Sequence, residues 1–327
     1  MSTDIHQHKL RSLNRREVAW GLALAMIVAA TWALGQWNDR QALDADFAAA
    51  LRDPQMKSIR ALMAKIQPVH TPKRPPQPGE WMDKHPGSGQ TFDEFLEVRA
   101  DRVVDRYPKF YLQPIGEFTA TQEKIVAQAG RMLEAFYGLP VTMLDPVPFG
   151  DIPESARREG GRHGEQVRTS HILDHLLKPR CPDDAAALLG LTTSDLWPGA
   201  DWNFVFGQAS LESRVGVWSM ARYGDPDESE AAYRQCLRRT VGVAIHETGH
   251  MLGMLHCTKY ECCINGSNHL DETDSRPLDF CPECSAKVWW TCRVDPLPRY
   301  ERLAKLAEEF GLADDAQFWR NVHAAVR

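Results

Sequence analysis

Three histidines fall within residues 246–256, and six of the chain's 8 cysteines follow between 257 and 292. No other feature constrains the fold as tightly, because side chains so concentrated must share ions or bridge one another. The first stretch reads HETGHMLGMLH. Residues four apart lie on one face of a helix, so His246 and His250 can point at one ion. Zn2+ is the ordinary partner of such a pair, at a Zn–N distance of about 2.0–2.1 Å. Glu247 stands beside that ion without binding it, the place for a base acting on water. Gly253 lets the chain leave the helix through an unusual backbone angle, and His256 returns as third ligand. Three protein ligands leave a fourth position open, the pattern of catalytic rather than structural zinc. By His and Gly content the spacing arises by chance about once in ten thousand chains of this length. A helix that merely carries histidines on a polar face therefore explains it poorly.

A second set begins immediately afterwards. Cys257 and Cys262, then Cys281 and Cys284 in CPEC, have the spacing of a closed four-thiolate zinc site. Such a site contributes folding energy to a segment rich in loops. Two disulfides are the competing reading, and the CPEC turn, which offers two sulfurs to one ion, favours zinc. Cys263 adjoins Cys262 and could stand in for it. Cys181, Cys236 and Cys292 read as ordinary thiols, used for packing.

A net charge of -6 argues against a nucleic-acid binder, which would need a basic face. Residues 18–35 form an uncharged run, VAWGLALAMIVAATWALG, with arginines and a lysine before it. Its length is about the minimum for a helix crossing a bilayer, and the basic flank would leave the N-terminus in the cytoplasm. Residues 1–36 are thus expected to be a tail and single-pass anchor. A cleaved signal peptide and a cytoplasmic chain are the other readings. Residues 37–79 read as a helix interrupted near Pro54, followed by a proline-rich extended linker. Residues 80–327 are expected to form the catalytic domain.

Within that domain 110–113 and 141–144 read as strands. Between them a helix starts at a Thr119/Gln122 capping box and stops at Gly138. The segment 155–165 is expected to be an exposed Gly-rich loop. A helix is expected at 172–177, a short one at 183–188, and a strand at 189–191. The runs 202–211 and 215–224 suggest a hairpin. The first motif should sit on a long helix from about 228 to 253, and two amphipathic helices close the chain.

At these motifs the chain resembles the archaemetzincin family of the metzincin clan. That family's pattern is HExxHxxGxxHC, four residues, Cys-x-Met, and a later CxxC; here it reads HETGHMLGMLHC, TKYE, CCI and then CPEC. The segments WNFVFGQASLESRVGVWSMARYG and FYGLPVTMLDPVP are also similar, and the resemblance spans about 80–300. It implies an α/β (α+β) metzincin-like zincin. Such a fold has a twisted mixed sheet, a backing helix, an active-site helix and a four-cysteine, zinc-bound C-terminal subdomain. It also implies two zinc ions per chain. His246, His250 and His256 would hold the catalytic one, with Glu247 as general base, and Cys257, Cys262, Cys281 and Cys284 the structural one. Ile264 stands where the family has the methionine of its Met-turn. It is apolar and of similar volume, so a floor beneath the histidines can still pack.

The activity implied is zinc-dependent hydrolysis of peptide bonds in a peptide or protein substrate, and one strand of the 202–224 region would offer an edge on which substrate lies. Asn203 and Gln208 are candidate helpers there, with turn or core roles as the simpler reading. The alternative is a zinc-bound protein that recognises peptides with little or no turnover.

Overall fold

The structure, a computed structural model, describes residues 40–327 apart from 88, 201 and 211. The apolar run 18–35 lies outside the described residues. The single-pass membrane placement expected from it is corrected here: among the described residues no helix is long and apolar enough to cross a membrane.

A helix covering 40–52 gives way at Asp53, whose side chain caps α1 (Pro54–Ile66) by accepting from the Gln55 N–H at 2.8 Å. Pro54 sits at the first helical position, where its missing N–H costs nothing. The proline-rich stretch after α1 is extended and lies against the body of the protein. Lys73 N–H donates to the Lys259 carbonyl at 2.9 Å, and Glu261 N–H donates to the Thr71 carbonyl at 2.9 Å. A short helix at Trp81–Lys84 and α2 (Phe92–Val98) follow, the latter opened by a Thr91/Glu94 capping box.

The body of the protein is arranged around a central sheet. It is built from β1 (Lys109–Ile115) and β2 (Val141–Met143), with α3 (Ala120–Tyr137) crossing between them. A small second sheet contains β3 (Arg157–Glu159) and β4 (Glu165–Arg168) as an antiparallel pair, where a plain loop was expected. β5 (Ala185–Thr192) belongs to the central sheet and β6 (Asp195–Trp197) to the small one, and β7 (Gly207–Ala209) and β8 (Val215–Ser219) complete the strands. The central order is β2-β1-β5-β8-β7, all parallel except the edge strand β7, which runs antiparallel to β8. The short helix expected at 183–188 is instead the start of β5. All eight residues of β5 are buried between β1 and β8. A short, continuously apolar run suits either element, and here pairing on both edges decides it.

One face of the sheet packs against α3 and α4 (Glu230–Met251), and its other face against a smaller core beneath the second sheet and the π-helical segment Ile172–Leu177, where a helix was expected. The capping box of α3 forms as the sequence suggested, and Gly138 ends the helix in the left-handed conformation. Tyr137 at its end donates its hydroxyl to the Ile245 carbonyl at 2.7 Å, pinning α3 to α4 next to His246. The chain closes with α5 (Pro282–Cys292), α6 (Pro296–Glu309) and α7 (Ala313–Val326). α1 packs between α5 and α7, so the segment before the proline run is built into the C-terminal half.

Candidate metal centre

α4 is capped by Ser229 and runs to Met251, which places His246, Glu247 and His250 on its last two turns. Beyond it Gly253 has φ +89°, and the Arg99 side chain covers the position a Cβ would take. The chain therefore reverses at a residue that tolerates both constraints, and His256 comes back over the helix. The three Nε2 atoms converge: His250 lies 3.0 Å and His256 3.3 Å from His246. An ion held at about 2.05 Å by tetrahedral ligands would separate its donors by about 3.3 Å, so the spacing fits zinc. The other ring nitrogens of the helical pair are committed elsewhere. His246 Nδ1 meets the Cys263 carbonyl at 2.9 Å and His250 Nδ1 the Met254 carbonyl at 2.7 Å. With Nδ1 donating, the lone pair of each Nε2 faces the centre. Burial and the neighbouring imidazoles hold His246 well below the usual histidine range, and burial, with His250, Arg276 and His85 nearby, holds His256 at about 3. The rings are thus neutral, as ligands must be.

Glu247 is only 6% exposed, and burial pushes its carboxyl up to about 8. Gly207 of β7 lies directly over it: a Cβ there would come within 2.5 Å of Glu247 Oε1. A cleft of about 720 Å³ opens above, lined by Trp81, Phe204, Phe206, Gln208 and Arg239 among others, with the histidines and Glu247 at its base. Ile264 is fully buried, and its Cδ1 fills the space beside Gly249, between the two helical histidines. Phe280 Cζ and Met254 Sδ close in beside it.

The four cysteines expected to share an ion also meet. The sulfurs of Cys257, Cys262, Cys281 and Cys284 lie within 4.8 Å of one another. Cys257 and Cys281 are 3.6 Å apart, against about 3.8 Å for tetrahedral thiolates at 2.3 Å from zinc and about 2.05 Å for a disulfide. All eight cysteines are free. Hydrogen bonds from the other three thiols pull Cys257 far below the usual thiol range, while burial pushes Cys262 and Cys281 well above it. An ion shared by these sulfurs would take them as thiolates and displace their protons. Cys263 is outside the cluster and donates to the Gly242 carbonyl at 3.3 Å. Cys236 and Cys292 are buried, and Cys181 is half-buried.

The other two candidates both line the cleft. The Gln208 side chain accepts from the Thr169 hydroxyl, and Asn203 is fixed through its backbone carbonyl, which accepts from Arg158 and Gln166, each at 2.9 Å. Sequence reasoning missed Gly207, Trp81 and the Cys263 and Met254 carbonyls. Backbone acceptors carry no residue signature, and Gly207 and Trp81 reach the site only through the fold.

A mixed α/β body with an open histidine centre of this kind defines a zinc metallopeptidase, a hydrolase. Peptidase family M54 matches residues 173–289. The chain is 35% identical to archaemetzincin-2 of Rattus norvegicus over 70% of its own length and 72% of that protein. It is 33% identical to archaemetzincin-2 of Homo sapiens, over 71% and 73% respectively. The crystal structure of archaemetzincin from Methanopyrus kandleri superposes with a TM-score of 0.47 at 28% identity, covering 57% of this chain and 97% of that one. The chain belongs to the archaemetzincin family.

Proposed function

We propose that this protein hydrolyses peptide bonds at a zinc held by His246, His250 and His256, with Glu247 as general base. We propose further that a second zinc, held by Cys257, Cys262, Cys281 and Cys284, is structural. The observation that carries the reading is the convergence of three neutral imidazoles beside one buried carboxyl. Zinc bound there would supply a Lewis acid for the scissile carbonyl and make water acidic enough to attack near neutral pH. Glu247 takes the proton from that water and returns it to the leaving amine. A carboxyl raised by burial is suited to both halves of this exchange, because a neighbouring cation restores its charge when a base is needed.

Substrate is positioned by β7. The Phe206 carbonyl accepts from Ser219 N–H and the Val215 carbonyl from Ser210 N–H, both towards β8, whereas Val205 N–H donates to Leu196 of β6. By the alternation of a strand, the backbone groups of Gly207 and Ala209 face the cleft. A peptide added along that edge passes directly above Glu247.

The test is Glu247→Gln in the zinc-loaded protein, assayed on a peptide library with a chelator control. Zinc content should be unchanged and turnover should fall by about 10²–10⁴-fold. Undiminished cleavage would sink the mechanism. Tight zinc-dependent peptide binding without cleavage by the parent protein would instead favour the peptide-recognising reading.

A further inference from the structure

The third histidine is supported differently from the first two. His246 and His250 each have a carbonyl acceptor for Nδ1, but among the described residues no protein acceptor meets Nδ1 of His256. Apart from the other two histidines' rings, which lie 4.7 and 5.2 Å off, its ring meets Trp81 edge to face, with centroids 4.5 Å apart and planes at 73°. Trp81 is itself held from three sides. Its indole lies on Gly266 so closely that a Cβ there would come within 2.2–2.6 Å of ring atoms. Its backbone N–H donates to Glu272 Oε1 at 3.1 Å. His85 stacks on its outer side at 4.5 Å and 14°. Glu272 is fixed in turn by Asn268 N–H at 2.7 Å. At the far end of the same segment Gln90 accepts from Leu255 N–H at 3.2 Å, and buried Lys287 holds Gln90 through its carbonyl at 2.7 Å.

We propose that Trp81 is a positioning residue for the zinc site: it fixes the ring of His256 by packing, as the Cys263 and Met254 carbonyls fix the rings of His246 and His250. The segment 81–90 grips the returning ligand at two points, the ring through Trp81 and the preceding backbone through Gln90. A ligand on a loop needs its orientation set before the ion arrives, and outer contacts that do this are ordinarily worth 10–100-fold in metal affinity. The proposal rests on the reading of His256 as a ligand.

The experiment measures zinc affinity of the full chain by chelator competition, with the cobalt(II) visible spectrum as a second readout of ligand geometry. Zinc retained by the four-thiolate site reports that each variant is folded. Trp81→Ala should weaken the histidine site by about 10–100-fold and alter the cobalt bands. Trp81→Phe, which keeps an edge-to-face ring, should recover most of the loss. Gly266→Ala should reproduce it by displacing the indole without removing it, and it decides the matter if Trp81→Ala does not fold. Unchanged affinity in Trp81→Ala or in folded Gly266→Ala, alongside a large loss in His256→Ala, would overturn the proposal alone. Unchanged affinity in His256→Ala would overturn the ligand reading and the proposal with it.

Discussion

Glu247 shows at the scale of one residue how the site trades stability for chemistry. Its folded pKa of about 8 lies above the ordinary 4.5, so between those values the folded state binds more protons than the unfolded chain. Stability from this group therefore falls as pH rises from about 5 to 8. The histidines act with the opposite sign: their folded values are depressed, so stability falls as pH drops below about 6.5. In chelator-stripped protein, Glu247→Gln should be more stable than the parent by about 2–4 kcal/mol at pH 8, with the gap closing near pH 4. Urea unfolding across that range checks this, and a gap independent of pH would refute the electrostatic origin. Gly207 makes a second residue-scale prediction. Adding the methyl of Gly207→Ala pushes into the Glu247 carboxylate. It should lower kcat by about 10–100-fold while zinc content stays at the parental level.

Among the elements, the turn after His256 links the two proposed ion sites. Cys262 offers its sulfur to the thiolate cluster, the next residue gives its carbonyl to His246, and Ile264 accepts from Cys257 N–H at 3.0 Å. Asn265 locks the same turn, accepting from Cys262 N–H at 3.0 Å and donating to the Cys257 carbonyl at 2.7 Å. Loss of one sulfur must then disturb a histidine more than ten residues away in sequence. Cys281→Ser should release the structural zinc, lower Tm by on the order of 10 °C, and weaken zinc binding by the histidines as well. Metal analysis beside a thermal melt measures all three, and a histidine site of parental affinity in that variant would show the turn to be independent of the cluster.

At the scale of the whole molecule, α1 buries Met56, Ile59 and Ile66 against the C-terminal helices, so the segment before the proline run contributes to the same core as the half that carries the histidine and cysteine clusters. Ile59→Ala should cost about 2–4 kcal/mol in a single unfolding transition followed by tryptophan fluorescence; an unchanged midpoint would mean that α1 folds apart from the rest. Much of this architecture was legible in the chain, for reasons that differ by element. The capping box of α3 and the long α4 were readable because caps and a 3.6-residue period are local signals. The strand β5 was misread at its start because AAALLGLT is apolar throughout, and only β1 and β8 on its two edges choose strand over helix. The second sheet hid in a polar Gly-rich segment because its pairing partner β6 lies beyond β5. By itself the sequence determined which side chains could bind ions, since spacings of four on a helix and two in a turn are set by backbone geometry over a few residues. Tertiary structure alone decided what surrounds them. Gly207 over Glu247, Trp81 against His256 and Ile264 against Gly249 are contacts between distant segments, and no local periodicity encodes where a sheet edge or a returning loop comes to rest.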